Sequence, residues 1–316
     1  MKKTIILTII LLGAGIWTAC RREALVEDAR PEVVQGGSEW TLSLRAVKAD
    51  NPLSKGLILG DGESEALTTV LQSVWKQGDE VHVFQGDRYI GTLYASPDEG
   101  NPHSATLWGT VNTAGITAGV TTFTLLTPRT TLDYTGQNGK LLRSDDPVGS
   151  IESKYHYTMA SNVPVTSAIG GVITTETATF RNQQSIYRMN FRYQKGGVGA
   201  QSAINVKEVN ISGSGAHLVR HYELDNLNGT VVGDILVTLP EASTNPFFVA
   251  VCDEYAQGNE EVFTFTVVDG DGATYRGSKT IPAAYNNNGS FVSMKNATLT
   301  SRLEMTLNEN TKDAVL

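Results

Sequence analysis

The chain has 316 residues with 25 basic and 33 acidic side chains, a formal net charge of −8 that argues against nucleic acid as a partner. A hydrophobic content of 40% suffices for packed cores and excludes a disordered surface chain. With 31 glycines, abundant Thr and Val, and no long segment of helical period, the composition predicts an all-β protein.

Lys2 and Lys3 form a positive start, Thr4 to Ile16 is apolar but shorter than a bilayer span, and Thr18, Ala19 and Cys20 make a small-residue cleavage site. The pattern predicts an export signal over residues 1–19 and lipidation at Cys20. Trp17 stands where a lipobox prefers Leu, so a plain secretory signal with a chance cysteine stays open. Removing the signal takes two lysines and no acids, leaving a balance of minus ten. Cys20 and Cys252 are the only cysteines and make a poor disulfide framework. Cys252, in the apolar run Phe247 to Cys252, reads as a small buried hydrophobe. Residues 20–38 are polar and charged, with one proline and a Gly pair, and read as a tether.

Glu39 to Lys48 alternates, placing Trp40, Leu42, Leu44 and Ala46 on one face and Thr41, Ser43 and Arg45 on the other, as a half-buried strand does. Leu67 to Trp75 fits a strand or a short helix. Strands follow at Glu80 to Phe84, Arg88 to Ala95, Ala105 to Val111 and Gly119 to Leu126, with Gly86-Asp87 as a tight connection. Turn formers between Arg129 and Ser150 predict a long surface loop before a strand at Tyr155 to Met159. From Val172 the pattern restarts, with strands at Val172 to Phe180, Ile186 to Tyr193, Ile204 to Ile211, Leu218 to Tyr222, Val231 to Leu239, Phe247 to Val251, Val262 to Val268, Thr274 to Ile281 and Ser290 to Leu299. Such spacing predicts antiparallel sandwiches. The Asn162-Val-Pro164 turn places a boundary near residue 165, giving an N-terminal domain over 39–165 and a C-terminal one over 166–316.

Little in the chain advertises chemistry. The five histidines stand at 82, 103, 156, 217 and 221. His217 and His221 have the zincin interval without its glutamate, and on a strand they would stand roughly 13 Å apart. Asp269-Gly-Asp271-Gly lies between two strands as a hairpin turn does, and an EF-hand loop would need a closing glutamate where Thr280 stands. Gly196-Gly197-Val-Gly199 and Gly213-Ser-Gly215 lack the lysine and helix of a phosphate cradle. No catalytic residue, cofactor or metal ligand is assigned, and an enzyme is not expected. Trp40, Trp75 and Trp108 sit within apolar alternation and read as core.

Taken in order, several blocks resemble the fimbrillins, the lipoprotein precursors of type V pili and related surface proteins of Gram-negative anaerobes. A lipobox cysteine and tether lead to a strand ending in Leu44-Arg45-Ala46. Trp75-Lys-Gln-Gly78-Asp79-Glu80-Val-His-Val-Phe84 is similar to a W-x-x-G-D block, Ser104-Ala-Thr-Leu-Trp-Gly-Thr110 to the next strand, and Thr179-Phe180-Arg-Asn with Met189-Asn-Phe-Arg-Tyr193 to the start of a second domain. The resemblance implies two tandem transthyretin-like antiparallel β-sandwich domains, outer-membrane lipid anchoring with surface display, and a role in adhesion within a fimbrium. It also implies proteolytic maturation between Arg45 and Ala46, with Arg30 less suited because Pro31 follows it. The first strand, carrying Trp40, Leu42 and Leu44, would then leave a groove for a strand of the next subunit. Residues 301–307 alternate, with Leu303, Met305 and Leu307 on one face; they fit either such a donor strand or the last strand of the second domain. The expected partners are other pilus subunits, the outer membrane through the lipid, and a host protein or glycan. A monomeric surface lipoprotein binding glycans or host proteins through loops such as Arg129 to Ser150 is the alternative.

Overall fold

The computed structural model describes residues 37–49, 57–58, 74–215, 217–223, 230–253, 259–283, 288–289 and 291–303. The first alternating segment becomes β1 (Ser38–Lys48), with Leu42, Leu44 and Ala46 buried, Trp40 half-buried, and Thr41, Ser43 and Arg45 exposed. After it come β2 (Leu57–Ile58), β3 (Glu80–Gln85), β4 (Arg88–Asp98), β5 (Asn101–Thr113), β6 (Thr122–Thr127), β7 (Thr131–Asp133), β8 (Thr158–Ile169), β9 (Val172–Thr175) and β10 (Ala178–Asn182). The all-β expectation holds: among the described residues only Ile151–Tyr155 and Lys195–Gly197 make a helical turn.

The N-terminal strands close on themselves. From β1 the order runs β5, β4, β3, β6, β8, and the outer edge of β8 is joined back to β1 by β9 and β10. Counting β9 and β10 as one interrupted strand, the ring has seven positions, where the strand spacing predicts an antiparallel sandwich. The segment expected as a single strand, Val172 to Phe180, is broken after Thr175. Both pieces run antiparallel to β8 and parallel to β1. Closing a sheet needs tight coiling, which Gly91 and Gly109 permit: a Cβ on Gly91 would lie 2.5 Å from the Thr110 carbonyl, and one on Gly109 2.6 Å from that of Thr92. Asn162, in the stretch expected as a turn, lies inside β8. It adopts φ +56° beside a register shift against β6, so the turn signal marks a bulge. Residue 165 therefore falls within a strand, and the ring continues to Asn182.

The remaining strands are β11 (Ser185–Tyr193), β12 (Ser202–Ala203), β13 (Val206–Gly213), β14 (Val219–Glu223), β15 (Val231–Val232), β16 (Ile235–Ser243), β17 (Phe247–Val251), β18 (Glu261–Asp269), β19 (Thr274–Ile281), β20 (Phe291–Leu299) and β21 (Ser301–Leu303). One sheet runs β16-β13-β18-β19-β21, and another carries β11 paired with β17 and β12 on one side and with β20 in parallel on the other, β2 lying beyond β20. Their inner faces meet through aromatic rings, Tyr187 against Phe263 at 5.4 Å and Phe191 against Phe265 at 5.2 Å between centroids. The Asp269–Ala273 connection is a hairpin turn, as expected: the Asp269 carboxylate accepts from the backbone of Asp271 and Ala273 and from the Tyr275 hydroxyl. Cys252 is buried, also as expected.

The segment from Arg129 to Ser150 departs from its expectation as a surface loop. Leu132, Tyr134 and Leu141 are buried in the core of the two-sheet region, and β7 pairs with β14. Gln137, 2% exposed, substitutes its side-chain amide for a strand: it accepts from the Ala250 N–H at 2.7 Å and donates to the Ala250 carbonyl at 2.8 Å. Gly139, at φ +80°, lies against Leu239 and Phe247, where any Cβ would collide. Asp146 ties the segment's end through the Gly149 and Val148 N–H groups and Asn138, and these bonds, the backbone ones foremost, hold its carboxyl below the usual range. The strand expected at Tyr155 begins instead as the last residue of a helical turn, capped by Ser150 accepting from the Ser153 N–H.

Candidate functional site

The feature with functional potential is β1 and the seam it closes. On one side β1 pairs antiparallel with β5 along its length, from Ser38 opposite Thr113 to Val47 opposite Ser104. On the other, among the described residues, its parallel partners fall in two short stretches: Thr41 and Leu42 against β9, and Ala46, Val47 and Lys48 against β10. Ser43, Leu44 and Arg45 face the interruption between those pairings, three residues of β1 standing against the four of 174–177. The parallel side is thus the weak edge of the ring, and its gap spans Ser43 to Arg45.

The Arg45 side chain points to solvent and forms a two-pronged ion pair with Asp98. One prong is Nη1 to Oδ1 at 2.6 Å, the other Nη2 to Oδ2. The hydrogen bond to Asp98 raises the pKa of an already permanent cation, so the group stays charged. The backbone at Arg45 and Ala46 remains paired to Thr106 and Ala105 of β5, and Ala46 also to Ala178 of β10. Hydrolysis there requires the chain to be drawn from the β5 ladder into a protease cleft, starting from its open edge.

Beyond the gap, β1 is fastened by Lys48. Its amine, largely buried, donates to the Val74 carbonyl at 2.8 Å and sits 4.2 Å from the centre of the Trp75 ring. Burial pushes its pKa down to about 8. Trp75 in turn packs edge-on against Phe180 of β10 at 5.0 Å, plugging the ring next to the seam. The W-x-x-G-D block is therefore architectural. Trp75 N–H bonds Pro102, Gly78 N–H at φ +82° bonds Ala95, and Asp79 accepts from Lys76 N–H. The nearby His156 imidazole is held neutral, its pKa pushed down to about 4 by burial and then by the Lys48 charge.

Of the other expected site residues, Cys20 and Trp17 lie outside the described residues, as do Arg30, Met305 and Leu307. Leu303 ends β21, which pairs antiparallel with β19 through Thr274–Leu303, Tyr275–Arg302 and Arg276–Ser301. Among the described residues, 301–303 thus form the edge strand of their sheet. His221 bonds Glu223 at 2.8 Å. The expectation for Trp108 is corrected: it is 55% exposed. Ala105, Leu107 and Val111 point inward along β5, and strand alternation turns Trp108 out. Trp75 is buried as expected.

No family model and no curated protein matches this chain. The solved structures similar to it include three crystal structures described as "putative cell adhesion protein". The one from Parabacteroides distasonis ATCC 8503 shares 11% identity at a TM-score of 0.38, with 83% of this chain and 94% of that one covered. One from Bacteroides fragilis NCTC 9343 shares 14% at 0.35, with 85% and 99% covered. One from Bacteroides eggerthii DSM 20697 shares 10% at 0.32, with 84% and 89% covered.

Proposed function

We propose that the chain is a fimbrillin-like surface subunit, a pilus component or accessory protein, exported as a lipoprotein through Cys20 and assembled by strand exchange in the service of adhesion. The observation that carries the reading is the place of β1. It is the strand that closes the ring, it contributes Leu42, Leu44 and Ala46 to the core, and Arg45 stands at the gap in its weaker edge. Loss of the segment up to Arg45 would uncover apolar surface worth on the order of 5–10 kcal/mol at about 25 cal/mol per Å². A strand from another subunit would restore that burial and the β5 ladder together. On this reading β21 and the residues after it supply the donor, with Leu303, Met305 and Leu307 as its apolar face, and the partners are other subunits and the outer membrane. The two tandem transthyretin-like domains of the resemblance then correspond to the ring and the two-sheet region, joined after Asn182 and not near residue 165. No catalysis, cofactor or nucleic acid enters. Loop-mediated capture through Arg129 to Ser150 has less support, because the middle of that segment is committed to the core of the two-sheet region.

Intact-mass measurement of the protein from its native cells tests both halves of the reading. The expected result is an acylated form beginning at Cys20 and an assembled form beginning at Ala46. Assembled material that still carries residues 20–45 contradicts maturation at Arg45.

A further inference from the structure

The outer face of the ring carries an aromatic pair that neither core uses. Trp108 on β5 and Tyr94 on β4 are directly opposed in the antiparallel ladder, 55% and 37% exposed, with centroids 6.3 Å apart and planes inclined at 52°. In the same cross-strand row, Trp108's other neighbour is Ser43 of β1, too short to cover an indole. The outward positions before and after Trp108 on β5 are Thr106 and Thr110. A large indole is thus left bare between hydroxyl-bearing side chains on a strand whose inward positions already fill the core.

We infer that Trp108 and Tyr94 form a saccharide-binding platform for neutral pyranosides on the β4–β5 face. The C–H face of a pyranose is apolar while its rim carries hydroxyls, and the protein surface has the matching pattern. The Trp108 ring is the floor, Tyr94 is an inclined side wall with a hydroxyl at its tip, and Ser43, Thr106 and Thr110 offer donors and acceptors around them. A macromolecular partner fits less well. A stable protein interface buries about 800 Å² per side around an apolar centre, whereas here two rings are bounded by small polar side chains. Charge selects the neutral class. The chain has a net charge of −8, and the cation on the adjoining row, Arg45, is already engaged by Asp98. Its two rings lie on β4 and β5 and stay when β1 is exchanged, whereas Ser43 leaves with β1. The sequence signal is the phase of β5: once Ala105 and Leu107 are inward, Trp108 faces solvent.

The test is a glycan array carrying neutral, sialylated and sulfated oligosaccharides, probed with the purified full-length chain and followed by titration of any bound sugar. The expected result is saturable binding confined to neutral glycans, weakened at least tenfold by Trp108→Ala and less by Trp108→Phe. Both variants should melt as the wild type does, since the ring packs against no core. Saturation-transfer NMR should place the pyranose C–H protons against an aromatic ring. The inference is overturned by retention of no neutral glycan, or by binding that survives Trp108→Ala. It is equally overturned by a wild-type dimer that Trp108→Ala converts to a monomer without any sugar effect, which would make the face a self-contact.

Discussion

The ring and the two-sheet region that follows solve the same problem differently. In the ring, one sheet curls until its two ends meet, so the core depends on a single seam made by β1. Its filling is mostly aliphatic, with Leu42, Leu44, Val83, Ile90 and Leu107 around Phe123 and Phe180. In the C-terminal region a pair of sheets is clamped by aromatic rings, and the connecting segment with Gln137 adds a further fastening. A closed sheet can be opened by removing one strand, whereas a two-sheet core distributes its contacts. The proposed exchange therefore asks for the loss of one strand, β1.

The largest effect expected from a point change is in the ring core. Leu44→Ala should destabilise the ring by about 2–5 kcal/mol, the range for a large-to-small change at a buried site. Denaturation followed by tryptophan emission and by far-ultraviolet circular dichroism should then separate, Trp75 reporting the ring before the bulk of the strands is lost. A single coincident transition would erase the contrast by showing that ring and two-sheet region unfold as one.

Lys48 makes the seam sensitive to pH. Its pKa is lowered on folding from 10.5 to about 8, so the unfolded chain binds the extra proton between those values and stability rises with pH across that window. The contribution, about 3 kcal/mol, is fully present above pH 10.5 and lost as pH falls through 8. Urea midpoints measured from pH 7.5 to 10 should climb more steeply for the wild type than for Lys48→Met. Equal slopes in the two proteins would show that the Lys48 amine is solvated and that the seam is not fastened as described.

In the two-sheet region, Gln137→Ala should cost about 2–3 kcal/mol by stranding the Ala250 N–H and carbonyl. Hydrogen exchange should show the loss at β17, leaving β1 protected; equal loss in the ring would show that Phe84, Tyr89 and Leu126, the ring residues packed into this core, carry the change across. The smallest effect is expected from Arg45→Ala. Its ion pair is exposed and stability should barely change, while cutting by an arginine-specific protease at that position should stop. A large fall in melting temperature would make Arg45 a structural residue.

Much of the fold is legible in residue order. The alternation of Trp40, Leu42, Leu44 and Ala46 fixes β1 and its inner face, and Phe247–Val251 and Thr274–Ile281 match their expected limits. Ring closure is not legible, because it depends on parallel pairing between β1 and segments more than a hundred residues away, and local period carries no record of a partner. Gln137 is hidden for a related reason: its amide imitates a backbone that only the fold brings near. Asn162 reads as a turn because a residue tolerant of positive φ serves a bulge as well as a turn. Trp108 is misplaced when judged by residue type, since the phase of its strand decides which way it faces.

Hydrogen exchange on the purified chain before and after cutting at Arg45 tests most directly whether β1 is the removable closing strand of the ring. The expected result is release of the segment ending at Arg45, loss of protection along β5 and the β9–β10 edge, unchanged protection in β13 and β18, and recovery when a peptide of residues 38–45 is added. Retention of the cut strand with protection intact, or collapse of protection throughout β13 and β18, would contradict it.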